Sequence, residues 1–194
     1  MPKKVDHKKR KQKIAEATWR VIVEKGIEHA SVRNIAEEAN LSLGALRHYF
    51  SSQDQLLAYT MELVKERATN RIERIAAQNI PLKEKVIAML LEMVPTNEQT
   101  RVEMEVWFSY IVHIRHKKDK KSLEADGVYE GVQLLMNTLQ HENLLKAEVD
   151  VEKEAEALYG LVDGLAIHAL FEPAKLPKEK LKTIFTIYME RLYK

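Results

Sequence analysis

Apolar residues recur along this chain at helical spacing and almost nowhere at the alternating spacing of a strand. Between Lys13 and Lys25 the set Ile14, Ala17, Thr18, Val21 and Ile22 marks one helical stripe. Gly26 follows as a stop, because glycine adopts left-handed backbone without steric cost, and Ile27 is placed to pack back on the helix end. The stretch "SVRNIAEEAN" repeats the pattern over a shorter length, with Ser31 as N-cap and Val32, Ile35, Ala36 and Ala39 facing inward. Asn40-Leu41-Ser42 breaks it: Asn tolerates left-handed geometry, Leu41 plugs the gap, and Ser42 caps a third helix ending near Phe50. Ser52 opens a fourth with a Ser-x-x-Gln capping box and Asp54 near the positive end of the dipole. Leu56, Tyr59, Met61, Leu63, Val64, Ile72 and Ile75 carry that helix to about Gln78.

The second half stays helical and becomes more apolar. "LKEKVIAMLLEMV" ends at Pro95, and "NEQTRVEMEVWFSYIVHIRH" has a middle that is apolar nearly all round, the pattern of a helix buried on several sides. "KKDKK" predicts a polar break. Three further helices are predicted in "SLEADGVYEGVQLLMNTLQHENLL", "VEKEAEALYGLVDGLAIHALF" and "KEKLKTIFTIYMERLYK", with Pro173 and Pro177 bracketing a loop before the last. The fold class is therefore all-α: about nine helices, with a three-helix helix-turn-helix unit at the N-terminus and a larger helical bundle after it. The predicted boundaries are 1–57 and 58–194.

Composition narrows the chemistry. No cysteine is present among the 194 residues, which removes disulfides and thiol-ligated zinc and fits a reducing compartment. No apolar run approaches the roughly 18 residues of a membrane span, and the basic start lacks an apolar segment behind it, so a cytoplasmic, nucleoid-associated protein is expected. Charge is uneven. Seven cations against Asp6 give residues 1–13 a charge of +6, leaving −4 for the rest of a chain whose net charge is +2. Such an arm is either a solvated tail or a contact for an anionic partner such as nucleic acid.

Two short helices joined by a three-residue turn, with Ile35, Ala36, Ala39, Leu41, Leu46 and Tyr49 available to pack between them, have the spacing of a helix-turn-helix. A plain helical hairpin shares that spacing. The whole stretch Ile14–Leu57, "IAEATWRVIVEKGIEHASVRNIAEEANLSLGALRHYFSSQDQLL", resembles the DNA-binding domain of the TetR family of transcriptional regulators. The resemblance rests on the break at Gly26, "SVRNIA", the turn and recognition helix "LSLGALRHYF", and the "SxxxLL" entry to the fourth helix. It departs from the usual pattern at three places: Asn40 where Gly is commonest, Arg47 where Tyr is common, and Gln53 where a phosphate-binding Lys is common. Arg47 is expected to offset the last.

Roles follow from chemistry and resemblance together. Leu43, Gly44 and Ala45 form the tip of the recognition helix, where small or apolar side chains let the backbone approach base edges and meet a thymine methyl. Arg33 matches a family position that reaches a base or phosphate. Ser42, Arg47, His48 and Tyr49 can bond phosphates and fix register, and Tyr49 can equally be a core ring. Lys8, Lys9, Arg10 and Lys11 resemble the basic arms that family members lay on DNA.

The same resemblance implies a C-terminal domain that binds a small-molecule effector and a homodimer formed through the last two long helices. "WFSYIVHI" and "LVDGLAIHAL" look most like the branch containing the choline-responsive repressor BetI. Met104, Trp107, Phe108, Tyr110 and His113 lie on a helix expected to cross the middle of that domain, either as plain core or as an aromatic-lined pocket. His168 is a polar pocket candidate, and Asp163 faces either the pocket or the dimer interface. Gly160 and Gly164, four apart, allow close helix packing. No cofactor and no metal site is expected: the seven His are scattered, and no nucleophile, base and orienter are recognisable by spacing, so an enzyme is disfavoured. The leading reading is a homodimeric repressor released from a pseudo-palindromic double-stranded operator by a small molecule. An activator or architectural protein without a ligand is the alternative.

Overall fold

The computed structural model of the chain describes residues 7–117 and 127–194. Among them are nine α-helices: α1 (His7–Lys25), α2 (Val32–Glu38), α3 (Leu43–Tyr49), α4 (Gln53–Ala76), α5 (Leu82–Glu92), α6 (Glu98–Lys117), α7 (Gly127–His141), α8 (Val151–Phe171) and α9 (Lys178–Glu190). A single 3₁₀ turn, Ile27–His29, follows α1. The only β-type pairing among the described residues is an isolated bridge between Leu145 and Tyr193. None of these helices is long and apolar enough to cross a membrane. Lys3, Lys4 and Asp6 of the basic arm, and Lys118–Lys121 of the "KKDKK" break, lie outside the described residues.

The described residues form two compact units. The first takes the chain up to Arg67 and again from Glu105; the second takes Ala68–Met104 and the chain from 127 to Lys194. Both α4 and α6 are thus shared between the units. The core of the first is built from Ile14, Trp19, Val21, Ile22, Ile35, Leu46, Phe50, Leu56, Leu57 and Met61, with Val106 from α6. The core of the second joins Val86 and Leu90 of α5, Val132, Met136 and Leu139 of α7, Leu158 and Val162 of α8, and Leu181, Phe185 and Met189 of α9.

Several helix ends differ from the sequence pattern. α1 already includes His7, six residues before the apolar stripe: Lys8–Lys13 are mostly good helix formers and two side chains of the added turns find aromatic partners. Gly26 has φ 87° and ψ 159°, a conformation reserved for glycine. The capping box at α4 is only half formed. Ser52 Oγ accepts from the Gln55 N–H at 3.1 Å, but Gln55 Oε1 accepts from the Ser51 N–H at 2.8 Å instead of turning to Ser52. The chain end is not helical to its last residue: beyond Glu190 it turns, and Lys146 N–H donates to Leu192 O while Lys194 N–H donates to Leu144 O.

One ion-pair network braces the second unit. Arg71 on α4 donates twice to Glu103 on α6, at 2.7 and 3.1 Å, and once to Glu92 on α5 at 2.6 Å. Glu103 is buried, and Gln99 donates to it as well. Burial alone would lower the basicity of Arg71; hydrogen bonds to Glu103 and Glu92 outweigh it and raise the guanidinium above its ordinary value.

Candidate nucleic-acid interface

The turn between α2 and α3 is held by a closed set of short-range bonds. Ser31 Oγ accepts from the Asn34 N–H and caps α2. Asn34 Nδ2 donates to His29 O, tying α2 to the 3₁₀ turn. Asn40 sits at φ 52°, the left-handed geometry that asparagine tolerates. The next residue, Leu41, donates its N–H to Ala36 O at 2.8 Å and packs against the core of the first unit. Ser42 Oγ accepts from the Ala45 N–H at 3.1 Å and caps α3. Ile35, Ala36 and Leu46 are almost wholly buried between the helices.

With its inner side fixed, α3 shows a bare tip. Leu43 is 37% exposed, and a Cβ added to Gly44 would meet nothing within 4 Å. Ala45 is half-buried beside them. Further along, Arg47 and His48 are exposed, and Tyr49 is half-buried with His48 edge-on against it at 5.4 Å. Tyr49 also packs on the core of the first unit. Ser42 spends one lone pair on its cap and keeps its hydroxyl proton to donate. Arg33 is exposed on α2 and stands 3.6 Å from Glu37, one turn on, a surface ion pair that a phosphate or guanine can displace.

The basic residues before this motif are helical. Lys8, Lys9 and Arg10 are exposed on the first turns of α1, whereas Lys11 is half-buried with its ammonium 5.5 Å from the Phe50 ring centroid and 5.6 Å from that of Tyr59. This part of the charge run is thus continuous with the helix that carries the apolar stripe.

The residues named as effector contacts divide between the two units. Trp107 and Tyr110 pack against the first core, so this part of α6 is not the centre of the second unit. Phe108 and His113 are half-buried in the first unit too; His113 Nε2 is buried without a hydrogen bond, 3.8 Å from an Asp54 oxygen. The middle of α6 is not buried on all sides, since Val112 is 41% exposed. In the second unit, Met104 packs on the core, Asp163 is half-buried on α8, and His168 is exposed in its last turn. A cleft of about 710 Å³ runs beside α5 and α9, lined among others by Lys83, Ile87, Leu91, Met189 and Tyr193, and includes none of these candidates. No group of three or more His, Asp or Glu that could hold a metal ion occurs among the described residues.

Comparison with known proteins decides the family. Residues 14–60 match the model for bacterial regulatory proteins of the tetR family, and residues 81–194 match that for the C-terminal domain of BetI-type transcriptional repressors. The chain belongs to the TetR family of transcriptional regulators. It is 54% identical to the HTH-type transcriptional regulator PksA of Bacillus subtilis (strain 168), over 99% of this chain and 94% of that one. An HTH-type transcriptional regulator BetI from Vibrio parahaemolyticus is 26% identical over 98% of this chain and 96% of its own. Among solved structures, a regulator from Saccharomonospora viridis in complex with choline superposes with a TM-score of 0.82 at 20% identity, covering 96% of this chain and 99% of that chain. That likeness shows the shared fold.

As a TetR-family regulator, the chain binds DNA through its helix-turn-helix. The departures at Asn40, Arg47 and Gln53 now have a setting. Asn40 keeps the turn without glycine, and Arg47 is exposed at the end of α3. Gln53, half-buried, opens α4. Sequence reasoning overlooked His7, whose ring lies 5.6 Å from Tyr49 and 6.2 Å from His48. The signal was present: His7, Lys11, Ile14 and Thr18 continue the helical stripe through the charge run.

Proposed function

We propose that this TetR-family chain is a homodimeric repressor released from a pseudo-palindromic operator by a small molecule. The observation that carries the DNA half is the tip of α3, where Leu43 and an uncrowded Gly44 project beside a capped, core-anchored helix start. Base edges would be read by Leu43, Gly44, Ala45 and Arg33. Phosphates would be held by Ser42, Arg47, His48 and Tyr49 together with Lys8, Lys9, Arg10 and Lys11. Residues 1–57 would form the DNA-binding domain and 58–194 the sensing and dimerising one.

Support for the dimer comes from α8 and α9. A Cβ at Gly160 or Gly164 meets nothing within 4 Å, Ile187 is 59% exposed and Phe171 is 65% exposed. Apolar and small surface of this kind on two long helices suits a second copy. Support for an effector comes from the BetI-type match of the second half and from the choline held by the Saccharomonospora viridis regulator. Met104, Asp163 and His168, all in the second unit, are the side chains proposed to meet it. The effector acts by preferring one of two states of the dimer, to the extent of its differential affinity.

Sedimentation equilibrium at micromolar concentration tests the dimer. The expected mass is twice that of the 22.5 kDa chain. Ile187→Glu, which places a charge on the proposed interface, should yield folded monomer that no longer holds a two-half-site duplex. A wild-type monomer bound to a single half-site contradicts the proposal.

A further inference from the structure

The first two turns of α1 carry a face of which the roles above use Lys11 alone. His7, Lys11, Ile14 and Thr18 follow at steps of three or four residues and so share one side of the helix. Ile14 and Thr18 are wholly buried in the first core. One turn earlier the half-buried Lys11 on the same side meets aromatic rings: its Nζ stands 5.5 Å from the centroid of Phe50 and 5.6 Å from that of Tyr59. Another turn earlier, the His7 ring, exposed to solvent, lies 5.6 Å from Tyr49 and 6.2 Å from His48. Lys8, Lys9 and Arg10 lie off this side and are exposed.

Two consequences follow. α3 has only seven residues, too short to be stable alone, so the positions of its last side chains depend on what packs against them. Tilted and edge-on rings at these separations attract one another, which gives Tyr49 and His48 a defined place against His7. A cation over ring faces is likewise held in position, and a held cation loses less freedom on meeting a phosphate than one on a free arm.

We propose that His7 and Lys11 dock the basic turn of α1 onto the end of the recognition helix, making one preformed surface for DNA backbone phosphates. His7 is a positioning residue that holds Tyr49 and His48. Lys11 is a phosphate contact fixed in place by Phe50 and Tyr59. The proposal rests on α3 being the helix that reads DNA.

The test uses the full-length protein and a duplex that the wild type selects from a random library, with affinity measured over a series of salt concentrations. His7→Ala should weaken binding about tenfold through lost preorganisation, with no change in salt dependence, because no cation at the phosphates is removed. His7→Phe keeps a ring and should restore binding to within about twofold. Lys11→Met keeps an apolar stem and should lower the slope of log K against log salt by about 0.9 for each bound subunit, or about 1.8 for a dimer on two half-sites. Hydrogen exchange on the DNA-free protein gives a separate reading: the first two turns of α1 should exchange faster in His7→Ala and at the wild-type rate in His7→Phe.

His7→Ala binding like wild type overturns the proposal. So does His7→Phe binding as weakly as His7→Ala, since the imidazole would then touch DNA itself. An unchanged slope in Lys11→Met overturns the role of Lys11. A wild type that selects no duplex overturns the reading of α3 and this proposal with it, while exchange still reports whether the docking exists.

Discussion

Arg71 shows what a single residue can decide in this molecule. Its guanidinium serves two carboxylates, and Glu103 is 4% exposed. Removing the cation leaves that buried carboxylate without a counter-charge and with Gln99 as its remaining side-chain donor, which costs about 3–5 kcal/mol. Arg71→Ala should therefore lower the thermal midpoint sharply, and Arg71→Ala with Glu103→Gln should recover part of the loss. Equal midpoints for the single and double variants contradict this account.

Tyr193 makes a quieter test. Its hydroxyl is buried without a partner, and burial pushes the phenol up to about 12 from 10.0. The neutral form is the one the fold accepts. Stability is thus unaffected below pH 10, where both states are protonated, and falls as the unfolded chain ionises between about 10 and 12, by roughly 2–3 kcal/mol. Tyr193→Phe should remove that part of the alkaline loss in urea titrations and cost little at pH 7. Neither residue drew notice in the sequence, because a lone Arg or Tyr at helical spacing carries no sign of its partners. Arg71 and Glu103 are 32 positions apart.

Elements were legible wherever local chemistry sets them. Ser31 and Ser42 cap their helices as read, and Asn40 takes the left-handed turn. Helix ends set by distant contacts were misread. α1 runs six residues further back because His7 and Lys11 find rings on α3 and α4, and periodicity of apolar residues does not register a His or a Lys. Gln55 turns to Ser51 where the capping box points it to Ser52, since both groups lie within reach of one side chain. The aromatic middle of α6 was read as the heart of the second domain, yet Trp107 and Tyr110 pack on the first core. One-dimensional hydrophobicity shows that a helix is buried but not against what.

The cap on α3 yields a prediction of its own. Ser42→Ala should cost about 1 kcal/mol of stability and a larger fraction of DNA affinity, because the frayed end is the end proposed to meet base edges. Calorimetry and DNA binding compared on one preparation would show it. A stability loss with unchanged affinity would mean that the tip of α3 is not at the interface.

At the scale of the whole molecule, charge and symmetry carry the account. A net charge of +2 conceals +6 over the first 13 residues, and Lys8–Lys11 of that run stand on the same unit as the helix-turn-helix. Binding should be strongly salt-dependent for that reason. The family and its DNA-binding mode could be read from the chain, because caps, turn and core spacing are local and specific. An effector could not be read, since Met104, Trp107, Phe108 and Tyr110 on α6 are residue types that fill cores as readily as pockets, and on α8 Asp163 is half-buried and His168 exposed.

The central claim is that the tip of α3 reads DNA, and one measurement addresses it most directly. Full-length wild type and Gly44→Val are each used to select duplexes from a random library at about physiological salt, where nonspecific binding is weak. A Cβ at Gly44 meets nothing within 4 Å, so the fold should tolerate the change while the groove-facing surface does not. The account predicts that wild type enriches inverted half-sites spaced by about one DNA turn, roughly 34–36 Å, and that Gly44→Val, with an unaltered thermal midpoint, enriches none of them. Enrichment of the same sites by both proteins, or of no site by the wild type, would contradict it.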